Sequence, residues 1–442
     1  MRRQSIPDLA EVVDAHLKKV GTSSPGVRAL NELLEVVHFT SLKNEEARPL
    51  QLRVALVNPD DPDPERPPAP RPYRWEIIRL KRPVPFDVAS LAKLAKAADP
   101  WSSSLAVYYN QSGQFFVWGL VDQTVHFNTR LVRESESGYP PPGLFQVVAN
   151  GTADLTVYRE HSFVARLAQD TLLKRQNDLF WLGPVTERID AGMQVYLDAV
   201  WRRVRHLLPR NMGTWPPFLA DVWISTLCRI LISIQRYRHG GALLIATSKG
   251  DVDVKYRLDY RRLPKALTNL GEQTIRNSFA REEIITNHLG QKKSSVPAKL
   301  YLEESVSEND IENYRNEITG CVRFISSLSC VDGLILAAPD LSIRGFGVEI
   351  RTKQDPKRAF LSLRPTVNSR TLIRVDPSSY GTRHRSMMRY CFAHPGSLGF
   401  VISQDGEIRA MTRVGAQLII WENIEVLSVM EPTIRKRRGA GS

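Results

Sequence analysis

The stretch Gly381-Thr382-Arg383-His384-Arg385 sets three cation-capable side chains directly behind a glycine and a threonine. Thr382 suits a helix N-cap, which would put Arg383 to Arg385 in the first helical turn, where cations oppose the helix dipole. That placement makes physical sense if an anion lies among them: guanidinium groups fork onto phosphate oxygens and the helix end adds its own free N–H donors. The competing explanation is a solvated helix start with its arginines in water. A second candidate is Asp332-Gly333, just ahead of an apolar run. A carboxylate at the edge of a buried sheet can hold Mg²⁺ or orient a hydroxyl for attack on phosphorus, and a glycine beside it lets a nucleotide approach the backbone. Asp-Gly is equally a common turn pair, so neither element decides the matter alone.

Other chemistries find less support. There is no GxxxxGK[ST] phosphate loop, and Ser378 and Ser379, although close to His384 in sequence, belong to no Gly-x-Ser-x-Gly nucleophile motif. The four cysteines, Cys228, Cys321, Cys330 and Cys391, show no CxxC spacing, so neither zinc nor disulfides are expected. Sixty Lys plus Arg against 47 Asp plus Glu give a net charge of +13, which suits nucleic acid, a nucleotide polyphosphate or simply a basic surface. The most apolar segment, Phe218 to Ile234, is interrupted by Asp221 and Arg229 and reads as a buried helix; no membrane partner is expected. The amino terminus has no apolar core of the kind a secretory signal needs, which makes the cytoplasm the expected location.

The elements that must position the candidates fall into two parts, as expected for 442 residues. In the first, aromatic and β-branched runs at Leu52 to Val57, "YRWEIIRL", "LAVYYN" and "QFFVWGLVD" read as strands, with a helix near Val88 to Ala98 and hairpin turns at Asn110 to Gln114 and Asn150-Gly151. Seven prolines between Asn58 and Tyr73 mark a loop or linker. From Val185 the period changes: Ile189, Met193, Tyr196, Val200, Val204 and Leu207 form one helix stripe, ended by Pro209, and a second helix runs from Pro217 to about Arg236. Gly240 and Gly241 then open the apolar strand "ALLIA". After mixed structure to about Tyr301, Ser307 and Asp310 read as the capping box of a third helix with Ile311, Tyr314, Ile318, Val322, Ile325 and Leu328 buried. Strand, turn at Pro339-Asp340 and strand follow. The Arg-His-Arg segment opens a fourth helix, and "LGFVIS", a tight turn at Asp405-Gly406 and "EIRAM" close a hairpin. Strands apolar on both faces, such as Ala242 to Ala246 and Leu334 to Ala338, require helices on both sides of the sheet. The fold class is α/β, a mixed central sheet covered by helices, preceded by a smaller α+β domain.

A "GALLI" strand, "DG" before an apolar strand, the pentapeptide "GTRHR" and a strand ending in Ser403-x-acid-Gly, in this order, resemble the diadenylate cyclase (DisA-N) domain over about residues 225 to 425. The resemblance implies a DAC-like fold that condenses two ATP into cyclic di-AMP and two pyrophosphates, two domains meeting face to face in a homodimer or higher homo-oligomer, with Mg or Mn as cofactor. It implies that Asp332 binds metal and helps activate the 3′ hydroxyl, with Arg383 and Arg385 also catalytic. Gly333, Leu334, Gly381, Thr382, Arg383, His384, Arg385 and Ser403 would bind nucleotide, and Asp405 would be a second metal ligand. The chain departs from the family at Leu334, at Ser386-Met387, where the family carries small residues, and at Gln404, where it carries a glutamate.

Residues 1 to 180 show no catalytic constellation; their aromatic strands read as core, and the region resembles the DACNV sensor type found ahead of stand-alone cyclases. It is expected to bind a signal ligand of unknown identity and to act through a helical connector at 181–224 on a cyclase domain at 225–430. Residues 431–442, with Arg435, Lys436, Arg437 and Arg438, read as a disordered basic tail. Nucleic acid is not an expected partner. Two alternatives stay open on sequence: a nucleotide-binding module without turnover, or with altered specificity, and a nucleic-acid binder using the net charge.

Overall fold

The structure is a computed structural model that describes residues 4–20, 24–45, 48–60, 76–99, 102–110, 112–123, 144–159, 162–168, 170–173, 179–208, 213, 215–237, 239–247, 250–286, 297–404, 407–422, 424 and 426. Most of the proline-rich stretch, the Asp405-Gly406 turn and the basic tail lie outside the described residues. The chain divides into two compact units, with the boundary between Gln176 and Asn177.

The first unit opens with two helices, α1 (Ile6–Lys19) and α2 (Val27–Ser41). Sequence reading placed neither of them. Ser5 and Asp8 cap α1 reciprocally, and Leu9, Val13 and Leu17 form its buried stripe at helical spacing. Two short strands, β1 (Asn44–Glu45) and β2 (Arg48–Pro49), pair with each other. An eight-stranded sheet follows from β3 (Leu52–Leu56), β4 (Glu76–Pro85), β5 (Ser103–Tyr109), β6 (Phe115–Asp122), β7 (Phe145–Gly151), β8 (Asp154–Arg159), β9 (Ser162–Ala168) and β10 (Thr171–Leu173), with α3 (Val88–Leu94) after β4. Its order is β10-β9-β8-β7-β3-β5-β6-β4, parallel only between β3 and β5. The helices cover one face through Leu9, Leu30, Leu34, Leu52, Val54 and Val147, among others. The β7–β8 turn falls at Thr152-Ala153, two residues beyond the expected Asn150-Gly151, because Gly151 still pairs with Asp154 and Ala153 adopts a φ of 54°.

In the second unit, α4 (Pro184–Val204), α5 (Trp215–Arg236), α6 (Arg262–Ile284), α7 (Ala298–Ser327) and α8 (Thr382–Ala393) accompany a nine-stranded sheet. Its strands are β11 (Gly241–Ile245), β12 (Val252–Tyr260), β13 (Leu334–Ala337), β14 (Ile343–Ile350), β15 (Ala359–Leu361), β16 (Ile373–Val375), β17 (Leu398–Ile402), β18 (Ile408–Val414) and β19 (Gln417–Trp421). The order β12-β14-β13-β11-β17-β18-β19-β15-β16 puts β11, β13 and β17 in the interior, where every residue of the three is buried. Only the β11–β13 and β15–β19 pairs are parallel. On one face, α8 inserts Met387, Met388, Tyr390 and Cys391 against Ala242, Leu244, Leu336, Val401 and Met411. On the other, Phe180 stacks on Phe400 with ring centroids 6.0 Å apart, and α4 and α5 pack against β18 and β17. Both faces are therefore covered, as two-sided apolar strands require. The helices read as a connector both belong to this unit.

Two helical boundaries differ from the sequence reading. Helix α7 begins at Ala298, so Ser307 and Asp310 lie inside it, and Ser307 Oγ accepts from Gln273 Nε2 on α6 instead of capping. Helix α6 occupies what had read as mixed structure. Its apolar residues Leu263, Ala266, Leu267, Leu270 and Ile275 are interleaved with many charges, and the stripe is buried against α4 and α7. Helix α5 is long and apolar enough by length and composition to cross a membrane, yet it carries fourteen buried residues in this unit.

Gly192 inside α4 shows how closely the helices approach the sheet turns. A Cβ there would lie 1.7 Å from the Pro339 carbonyl oxygen. Alanine normally gains up to about 1 kcal/mol over glycine inside a helix. Here the backbone collision dominates, and Gly192→Ala is expected to destabilise the chain by about 3 kcal/mol, measured by urea unfolding.

Candidate functional site

The strand register gathers the sequence candidates at one end of the second sheet. Leu243 lies opposite Ile335 in the parallel β11–β13 pair, so Gly241 is level with Gly333; Gly241 also pairs with Ile402 across the antiparallel β11–β17 ladder. Gly240, Asp332-Gly333 and Ile402-Ser403 therefore crowd one edge of three neighbouring strands. At about 4.8 Å per strand, Asp332 and Ser403 flank β11 about 10 Å apart, a span that a polyphosphate can bridge.

Helix α8 begins over this edge. Gly381, not Thr382, is the N-cap residue, with ψ at 161°, and Thr382 is the first helical residue. Among the described residues no side chain caps the helix and it carries no acid of its own in its first turn, so its first N–H groups have no capping side chain and nothing on the helix offsets the dipole there. The three basic residues fan apart, as 100° per residue dictates. Arg383 turns onto Gly240: a Cβ at Gly240 would lie 2.7 Å from Arg383 Nη1 and 3.1 Å from the Ile402 carbonyl oxygen. Glycine at 240, with φ +65°, thus leaves the room that the guanidinium occupies. Arg383 is half-buried and makes no hydrogen bond or ion pair among the described residues.

His384 turns toward β18, where its Nε2 lies 3.2 Å from Arg409 Nη1. Arg385 turns the other way and pairs with Asp355 at 2.8 Å; Arg389, one helical turn on, holds the second Asp355 oxygen at 2.6 Å. The two guanidiniums, Arg389 foremost, hold the Asp355 carboxyl below its ordinary value. A depressed carboxylate contributes stability above its unfolded pKa and loses it as pH falls through the folded one. Asp355→Asn is therefore expected to lower stability at neutral pH only modestly, since the carboxylate is about one-third exposed. The difference from the parent should begin to shrink as pH falls below 3.8 and vanish only once pH has passed the lower folded-state value, as read by denaturant midpoints across an acid series.

The remaining candidates divide. Asp332 is exposed, with a carboxylate that bonds to no described residue. Gly333, at φ +112°, passes so close to β14 that a Cβ would lie 2.6 Å from the Gly347 carbonyl carbon, so its smallness serves the strand pairing directly. Leu334 is buried under α8 with the core residues of that face. Ser403 closes the β17–β18 hairpin: its hydroxyl accepts from Glu407 N at 3.0 Å, and its own N–H donates to the Glu407 carbonyl at 2.9 Å. Asp405 lies outside the described residues. Ser378 and Ser379 spend their hydroxyls on Asp376, at 2.7 Å each. Met387 is fully buried against Gly399, where a Cβ would lie 2.4 Å from Met387 Cγ, so the bulk at this position points into the core. All four cysteines are free thiols, and burial pushes Cys391 up to about 12.

Sequence reading missed the acids and cations that surround this motif: Asp355, Arg389, Glu407, Arg409 and Glu422. One signal was present. Arg409 interrupts a strand whose neighbours Ile408 and Ala410 are buried, and a charge there needs partners.

Among the described residues no group of three His, Cys, Asp or Glu side chains forms a ready metal cage. A single unpaired carboxylate does fit Mg²⁺ or Mn²⁺, since such cations are commonly held by one or two carboxylates with substrate phosphates completing the shell. Asp332, exposed and bonded to no described residue, is a carboxylate of that kind.

Residues 20–122 match a family described as "Probable sensor domain DACNV". The match starts one residue after α1 and ends with β6, so it takes in the contiguous strands β3, β5, β6 and β4 of the first sheet and leaves β7 to β10 outside. It does not extend into the second unit. No curated protein matches the chain. The first unit thus carries a segment similar to a sensor domain, on a chain whose two sheets are mixed α/β constructions.

Proposed function

We propose that the chain is a sensor-regulated diadenylate cyclase of the cytoplasm, condensing two ATP into cyclic di-AMP and two pyrophosphates. The observation that carries this reading is the Arg383 guanidinium, unpaired among the described residues and seated on Gly240 at a helix start with no side-chain cap, at the same sheet edge as the Asp332 carboxylate, which likewise bonds to no described residue. An unpaired cation and an unpaired anion at one edge suit a ligand that carries both a polyphosphate and a hydroxyl to be activated. Arg383 and the α8 N–H groups neutralise charge growing on the α-phosphate, and Arg385 joins them when a phosphate oxygen displaces Asp355. The 3′ hydroxyl of one nucleotide attacks the α-phosphorus of the other; a new P–O bond forms, the bond to the β-phosphate breaks, and the hydroxyl proton passes to Asp332 and from there to water. Asp332 would hold Mg²⁺ or Mn²⁺, which when bound would supply further charge neutralisation. Two such edges must face each other for both attacks to occur, so the active species is a homodimer or higher homo-oligomer. The first unit binds the signal.

Two observations favour a second reading, a nucleotide-binding module without turnover: Arg385 is already occupied by Asp355, and the Ser403 hydroxyl is spent in its hairpin. Incubating the purified chain with each NTP and either Mg²⁺ or Mn²⁺, with mass spectrometry of the products, separates the two. Cyclic di-AMP supports the cyclase; ATP binding without a cyclic product supports the module.

A further inference from the structure

His384 sits between two arginines in sequence, and a third arginine meets its ring. Arg409, on β18, presents Nη1 to His384 Nε2 at 3.2 Å. That guanidinium cannot retreat easily. Glu407 holds its Nη2 at 2.5 Å, and a Glu422 oxygen lies 3.2 Å from its Nε. The Tyr380 ring lies 5.3 Å from its Cζ, and the Tyr380 hydroxyl donates to the same Glu422 oxygen at 2.9 Å. All three charged side chains are buried to about four-fifths or more, so these contacts act in a medium that strengthens them relative to water. The group is built from α8, the strand β18 with the residue before it, the residue that follows β19, and Tyr380 just ahead of α8.

A guanidinium has only donors and never loses its charge. A ring nitrogen facing it at hydrogen-bond distance must therefore offer a lone pair, and the other ring nitrogen must carry the proton. We propose that Arg409 is a positioning residue that fixes His384 as the neutral, Nδ1-protonated tautomer, with Glu407 and Glu422 holding Arg409 in place. The consequence, which rests on the phosphate-binding reading above, is that the Arg-His-Arg segment grips its anion with two permanent charges and one neutral ring of set orientation. It does not use three cations whose mutual repulsion would need an anion to relieve it. Neutral histidine in water prefers the opposite, Nε2-protonated form, so the tautomer is a diagnostic signature.

The test uses the full chain labelled with ¹⁵N-histidine, with long-range ¹H–¹⁵N correlation spectra; the chain has nine histidines, and His384→Gln assigns the signal. The expected result is a neutral ring protonated at Nδ1, which shifts in Arg409→Met to a mixture dominated by Nε2–H. In the cyclisation assay, Arg409→Met should lose about tenfold in kcat with a smaller change in KM for ATP, the scale on which partners that orient a functional histidine act. The inference is overturned by an Nε2-protonated or fully protonated ring in the parent chain, a measurement that uses a variant only for assignment, or by an unchanged tautomer in Arg409→Met. A chain that shows the Nδ1 tautomer but makes no cyclic product leaves the inference standing and removes the cyclase reading.

Discussion

Arg383→Met is expected to reduce ATP binding and cyclic product formation by about 10²–10³-fold while leaving the thermal midpoint where it was. The size follows from what the guanidinium does and does not touch. Arg383 has no hydrogen-bond or ion-pair partner among the described residues, so its removal strands no buried carboxylate in the folded chain. Methionine retains the aliphatic stem that packs over Gly240, which limits the stability change to about 0.5 kcal/mol. What is lost is a forked donor aimed across the end of β11; of the neighbouring arginines, Arg385 has its own phosphate contact to make once freed from Asp355, and Arg409 is held by its two glutamates. Arg385→Met serves as the contrast: it also breaks an internal pair, so it should lower stability slightly as well as binding. Isothermal titration with ATP and calorimetric melting on both variants check this. An Arg383→Met chain that melts earlier yet binds ATP as tightly would mean that the residue packs the sheet edge and grips nothing.

The sheet edge was legible in sequence because each of its parts is local. Runs such as Gly241 to Ile245 and Leu398 to Ile402 are apolar on both faces and can only be interior strands, and the glycines at 240, 333 and 381 mark their ends or the helix start. The side-chain partners were not legible, since Asp355 meets Arg385 across 30 residues of chain and Arg409 meets His384 across 25. Such pairs are set by which loops the topology brings over α8, and a single sequence carries no register for that. Met387 illustrates the same limit. A bulky residue in a motif reads as an obstacle to ligand until Gly399 on β17 is seen to receive it. Helix α6 failed to declare itself for a different reason: its apolar residues are interleaved with many charges, so burial comes from the neighbouring elements more than from local pattern, whereas α1, with its Ser5–Asp8 cap and its Leu9, Val13 and Leu17 stripe, was legible and was overlooked.

Asp332→Asn and Gly333→Ala should divide this dipeptide into a chemical half and a structural half. The asparagine variant keeps the shape of a side chain that is exposed and bonded to no described residue, so folding should be unaffected. It removes the negative charge and the proton acceptor from the edge where the 3′ hydroxyl must be activated, and loss of a positioned base costs about 10²–10⁴ in rate. Cyclic product should fall by that factor, while ATP binding measured without divalent metal stays close to the parent value. The alanine variant acts in reverse. Its Cβ would meet the Gly347 carbonyl carbon at 2.6 Å, and a φ of +112° is strained for any side chain. Both penalties fall on the β13–β14 pairing, and together they predict a loss of about 3 kcal/mol or more in urea unfolding. The two outcomes are independent because the Asp332 carboxylate bonds to no described residue, whereas Gly333 has the Gly347 backbone pressed against it. An Asp332→Asn chain that unfolds early, or one that still cyclises ATP at the parent rate, would take Asp332 out of the reaction and return Asp-Gly to a helix-to-strand turn.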